Sequence, residues 1–95
     1  MKYIIIAGDL VSRDGTVKME IPFIFPNNLV HANVYEYSAH MLKREMKLSN
    51  LKCVAAGFFS VSNHQCSGES ETLGVKSRPG DSGFIQFFDY HHGIV

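Results

Sequence analysis

The sequence has no net charge: nine Lys plus Arg face nine Asp plus Glu over 95 residues. That balance excludes the broad electrostatic field of a generalised nucleic-acid or anionic-membrane binder and leaves room only for a local charged patch. Long apolar runs are also missing. Tyr3 to Ala7 is interrupted by Gly8-Asp9, before the about 7 to 15 apolar residues and cleavage site of a secretory signal can build up. Cys53 to Val61 falls far short of the ~20 residues a membrane-spanning helix requires. The expectation is a soluble, intracellular, cytoplasmic chain with no membrane partner. Cysteine is scarce: two residues make neither a disulfide framework nor a paired zinc motif, so both thiols are expected reduced, with Cys53 a small buried hydrophobe. Gly8 lacks a following Gly-x-x-Gly and no Gly-Lys-Ser/Thr occurs, which excludes nucleotide binding through a standard phosphate loop. There is no internal repeat and no low-complexity tract.

What is present suits a single α+β domain spanning 1–95. Hydrophobic residues at 45% and charged residues at 19% are ordinary for a folding chain, and a chain this short holds one core. Lys2 to Ser12 is apolar on both faces and reads as a central strand. Asp14-Gly15 supplies a hairpin turn. Thr16 to Phe25 then alternates, with Val17, Met19, Ile21, Phe23 and Phe25 on the core face and Pro22 marking a sheet edge or bulge. Asn27-Asn28 offers an N-cap to an amphipathic helix from about Leu29 to about Leu48, with Val30, Val34, Tyr37, Met41 and Leu48 on its apolar stripe. Leu51 to Ser62 reads as a second buried strand, and Phe84 to Tyr90 as a last one.

Between them, residues 63–83 hold four glycines and four serines and read as a long polar loop, a kind of segment that is more often functional than a short connection. The order ββαβ(β)β gives a two-layer sandwich: one amphipathic helix packed on a mostly antiparallel sheet. The sheet carries more apolar side chains than one helical stripe covers. Its second face therefore needs the long loop or another copy of the chain, and a homodimer through that face or an edge strand is one expectation.

Several constellations compete as chemistry. Gly80-Asp81-Ser82-Gly83 resembles the nucleophile segment of chymotrypsin-like proteases, but the resemblance ends at four residues and turn chemistry explains it. His64, Cys66, His91 and His92 form a metal-ligand set if the loop folds back, although their spacing is not that of structural zinc sites. Cys66 also offers a nucleophile beside His64, His91 or His92, with Asp89 to orient the base, but no local signature accompanies it. Lys43, Arg44 and Lys47 are accounted for by the negative end of the helix dipole, so a nucleic-acid role is disfavoured. The charged loop residues Glu69, Glu71, Lys76, Arg78 and Asp81 remain as the binding candidates, with Arg78 able to grip a partner carboxylate or phosphate in two places.

The stretches MKYIIIAGDLVSRDG, FIFPNNLVHANV, VAAGFFSVS and SGESETLGVKSRPGD are similar in style to small accessory proteins encoded by tailed phages and prophages. That resemblance implies a small product acting on a host or viral component in the host cytoplasm, and it carries over no activity and no residue. The leading expectation is a non-enzymatic protein-binding or host-modulating module without a cofactor, acting through the 63–83 loop and an exposed sheet edge. The alternatives are a metal-binding or thiol-dependent protein using His64, Cys66, His91 and His92, and a structural component that assembles as a homodimer.

Overall fold

A computed structural model describes residues 1–92, with side chains described through residue 88. Strand β1 (Lys2–Ser12) and strand β2 (Gly15–Phe25) form the expected hairpin. It closes at Ser12↔Gly15, with Gly15 at φ 123°, a conformation that residues bearing a Cβ rarely adopt. Helix α1 (His31–Glu45) leads to β3 (Ser49–Ser60), the short strands β4 (Gln65–Ser67), β5 (Glu69–Ser70) and β6 (Val75–Lys76), and a second helix, α2 (Asp81–His92). The main sheet has the order β2-β1-β3-β4 with antiparallel neighbours, while β5 and β6 pair as a separate ribbon. Since β2 and β3 both run against β1, α1 is the crossover joining two parallel strands that flank a central one. The edge position of β2 agrees with Pro22, which has no N–H to give a second neighbour.

Central β1 explains its own composition. Ile4 and Ile6 point to the α1 side and pack with Phe25, Leu42, Leu48 and Ala56. Tyr3 and Ile5 point to the opposite side and pack with Ala55, Phe59 and Ile85. The pairing slips at Ile5↔Ala55 and Ile6↔Cys53, leaving Val54 as a bulge that re-aims β3. Gly57 is required by close approach: a Cβ there would run into the backbone carbonyl of Ser67 in β4.

Three expectations are corrected. Residues 84–90 are helical. Phe84, Ile85 and Phe88 fall at i, i+1 and i+4, one face of a helix, and Asp81 places a carboxylate in the first turn, where the helix dipole favours negative charge. Part of the second face of the sheet is consequently covered by α2 of the same chain, with Ile85 only 2% exposed, rather than by the long loop. The segment 63–83 is partly regular, containing β4, β5 and β6.

The first helix is also shorter than expected, and Asn27-Asn28 does not cap it. The N-cap is Val30, without a side-chain bond, because Pro26 to Leu29 closes a turn through Leu29 N–H to Pro26 O at 3.2 Å. Thr72, from the β5–β6 connection, supplies the missing acceptor: its Oγ1 takes the Ala32 N–H at 3.2 Å. The buried positions of α1 are His31, Ser38 and Leu42, whereas Tyr37 is 76% exposed, so the stripe is rotated from the expected one. His31 anchors the first turn. Its Nε2–H donates to Gly57 O at 2.9 Å, and its ring meets Phe25 and Phe58 edge-on.

Candidate binding groove beside strand β2

The five candidate loop residues do not form one surface. Glu69 and Glu71 border a concavity of about 420 Å³ on the α1 side, with Lys2, His31, Phe58 and Thr72 around them. Lys76 is exposed opposite Glu69 in the β5–β6 ribbon. Arg78 and Asp81 lie on the α2 side, and both are committed internally. Asp81, 1% exposed, accepts from Tyr3 Oη at 2.6 Å, from Arg78 N–H at 2.8 Å and from Arg78 Nε at 3.0 Å. The outer guanidinium nitrogens of Arg78 clamp the Glu20 carboxylate of β2 at 2.9 and 3.2 Å. The fork expected to grip a partner is thus occupied by Glu20 and Asp81, and it fastens the start of α2 to the sheet.

This network sets the local protonation behaviour. Burial, reinforced by the Asp81 carboxylate, pushes the Tyr3 hydroxyl well above its usual range and keeps it a donor. Glu20, with Asp81, holds the Arg78 guanidinium more firmly protonated than usual, against the opposing effect of burial. Burial also pushes the Cys66 thiol up, with hydrogen bonds from Ser82 and Tyr3 opposing the rise. A thiol held protonated is a poor nucleophile and a poor metal ligand.

The Cys66 and His64 side chains serve different places. Cys66 faces Tyr3 and Ser82, and its N–H donates to Ser82 Oγ at 2.8 Å. His64 sits in a left-handed turn at φ 57° and turns its ring toward Phe59. Among the described residues no group of three His, Cys, Asp or Glu side chains is placed to hold a metal ion. The side chains of Asp89, His91 and His92 lie outside the described ones, and with them the remainder of that proposed set.

A further concavity is one that sequence reasoning does not assign. A groove of about 570 Å³ runs between β2 and α2, a size typical of ligand sites. Its near wall is Ile21-Pro22-Phe23-Ile24, its far wall Ile85 and Phe88 of α2, and its floor Phe59, with Met1, Val61 and His64 at the rim. Alternate residues of a strand point to opposite faces of its sheet. Ile21 and Phe23 pack toward the α1 side and Ile24 toward the α2 side, so the groove meets β2 through both its side chains and its backbone, next to the outer edge of the strand. Among the described residues no strand pairs with that outer edge of β2. Among the described residues, His64 is the sole titratable side chain along it, and no Lys, Arg, Asp or Glu lines its walls. The sequence signal that points here is Pro22 within an alternating apolar strand.

No protein-family model matches the chain, and neither a curated protein nor a solved structure matches it. No helix of the described residues is long and apolar enough to cross a membrane.

Proposed function

We propose that the protein is a non-enzymatic binding module that takes an extended apolar segment of a partner protein along the outer edge of β2, with side chains of that segment seated in the groove. The observation that carries this reading is the wall of four consecutive β2 residues, Ile21 to Ile24. An open strand edge presents main-chain donors and acceptors that another chain can satisfy, which favours a peptide over a simple hydrocarbon. The largely apolar lining among the described residues favours apolar side chains over charged ones. Pro22 contributes no donor and interrupts the edge, so the partner is held by side-chain burial together with a few main-chain bonds rather than a continuous ladder.

Selection of a displayed random-peptide library against the intact protein tests this. The expected enrichment is for uncharged peptides with alternating apolar residues, whose binding is lost in Val61→Asp. Val61 is 62% exposed at the groove rim, so that change leaves folding intact. Enrichment of no sequence pattern, or of peptides indifferent to Val61→Asp, overturns the reading, and retention of small apolar dyes alone assigns the groove to small molecules instead.

A further inference from the structure

The outer edge of β2 carries a pattern of its own. The β1–β2 hairpin closes at Ser12↔Gly15 across a two-residue turn and runs without a register shift to Lys2↔Phe25. Opposed residues of an antiparallel pair alternate between exchanging both main-chain bonds and exchanging none. The pair that closes a two-residue turn is of the bonded kind, so Val17, Met19, Ile21 and Phe23 bond to β1. Thr16, Lys18, Glu20, Pro22 and Ile24 therefore aim their main-chain groups outward, where among the described residues no strand pairs with them. Pro22 fits this alternation, because its missing N–H belongs to an outward position.

An antiparallel strand laid on this edge matches outward residues with outward residues, and if that strand is a second β2, the position of the two-fold axis fixes which ones. An axis at Lys18 sets Lys18 against Lys18, one at Glu20 sets Glu20 against Glu20, and one at Val17 sets Asp14 against Glu20; like charges directly opposite are destabilising. An axis at Ile21 sets Lys18 against Ile24 and Glu20 against Pro22, with no charge pair. An axis at Met19 sets Lys18 of each copy against Glu20 of the other. Thr16 then faces Pro22, and Val17, 57% exposed, faces Ile21 on the α1 side. The charges on the edge suit this arrangement. Among the described residues Lys18 has no ion-pair partner, whereas Glu20 and Asp81 share the single guanidinium of Arg78, which leaves that cluster one negative charge in excess.

From these observations we infer that the chain forms a two-fold homodimer, β2 against β2 about an axis at Met19, which joins two four-stranded sheets into one. Lys18 and Glu20 exchange two main-chain bonds on each side of the axis, and Thr16 N–H donates to Pro22 O at each end. One face of the seam holds Val17, Met19 and Ile21, and the other holds Lys18 and Glu20. An interface of this length is small, and the dimer is correspondingly weak. The hairpin turn of each copy, Arg13-Asp14, comes to lie beside Ile24 of the other, along the groove wall, so the dimer and a bound peptide exclude each other. The dimer rests on the strand edge and not on the groove's being a peptide site.

Sedimentation velocity on the peptide-free protein over about 10 to 500 μM, together with oxidative cross-linking, tests this. The wild-type chain should show a concentration-dependent dimer. Lys18→Glu sets acid against Glu20 and should weaken that dimer about tenfold or more. Glu20→Lys should weaken it likewise, and an equimolar mixture of the two variants should restore a dimer, since each supplies the charge the other lacks. Met19→Cys should give a covalent dimer through the introduced thiols, because opposed residues of a non-bonded pair lie within disulfide reach. Val17→Cys, which faces Ile21, should not, and peptide mass mapping separates these links from any made by Cys53 or Cys66. Lys18→Glu, at an exposed position, and the cross-link decide the matter even where Glu20→Lys, which also releases Arg78, fails to fold. A monomer throughout that range overturns the inference, as does a dimer unaffected by Lys18→Glu or a Met19→Cys chain that links no more readily than Val17→Cys. A dimer present while no peptide is selected removes the groove reading and leaves the dimer standing; peptides selected on a strictly monomeric protein do the reverse.

Discussion

Tyr3 and Arg78 both serve a single carboxylate, and removing them separately and together measures how α2 is held. Tyr3 is fully buried and its hydroxyl lies 2.6 Å from Asp81. A hydrogen bond to a charged group contributes about 1.5 to 3 kcal/mol, and Asp81 keeps its two bonds from Arg78, so Tyr3→Phe should cost about 2 kcal/mol. Arg78→Met leaves Asp81 buried with Tyr3 Oη and one backbone N–H. Breaking a fully buried pair costs roughly 3–5 kcal/mol, but the Arg78 side chain is 36% exposed, and solvent screening lowers the expected cost to about 2–3 kcal/mol. The Glu20 arm, exposed on both sides, adds between about 0 and 1 kcal/mol.

Each change leaves the other group as the main remaining donor to a carboxylate that is 1% exposed. The double variant should therefore lose more than the sum, with a coupling of at least about 0.5 kcal/mol. Urea unfolding followed by far-UV circular dichroism gives all four stabilities. A Tyr3→Phe cost below about 0.5 kcal/mol, or additivity within about 0.3 kcal/mol, refutes the claim that Asp81 is a shared buried anchor.

Alkaline pH should destabilise the protein in two stages. The unfolded chain sheds thiol protons near pH 8.5 and tyrosine protons near pH 10 (about these values), while folding raises the values of Cys53, Cys66 and Tyr3. Their contribution is complete below those unfolded values and declines as pH rises beyond them, by at most about 1.4 kcal/mol per pH unit per group; stability against pH should be shallower above pH ~10 in Tyr3→Phe. Gly57→Ala should cost about 2–3 kcal/mol by forcing β4 away from β3, read as a lowered Tm, whereas Gly8→Ala meets the movable end of Leu51 and should cost less. Thr72→Val removes the acceptor for the first turn of α1 and should lower stability by about 1 kcal/mol in chemical denaturation.

The strands and the first helix were legible because their periods are clean. Both faces of β1 are apolar, and β1 is sandwiched between two cores; Thr16 to Phe25 alternates, and it is an edge strand with Pro22 in it. The terminal segment reads as a strand in the sequence because a compact run of aromatics fits a buried strand as well as a helix, and periodicity alone does not separate the two over so few residues. Here Asp81 and the i, i+1, i+4 placement of Phe84, Ile85 and Phe88 decide for the helix. The same reading hides the groove, since one of its walls is α2. In the sequence Arg78 reads as a guanidinium available to a partner, because Glu20 and Asp81, which engage it, come from β2 and from the start of α2. Glu20 is 58 residues away in sequence, and nothing local signals that contact. The Asn27-Asn28 cap failed for a related reason: the acceptor that α1 uses comes from Thr72, 40 residues downstream.

The central claim concerns the open edge of β2, and intermolecular nuclear Overhauser effects between a selected peptide and the intact protein test it most directly. Contacts from the peptide backbone to Ile21, Phe23 and Ile24, together with side-chain contacts to Val61 and Ile85, are the predicted result. Peptide contacts confined to Glu69, Glu71 and Phe58 on the α1 side, with the β2 edge unperturbed, would contradict it.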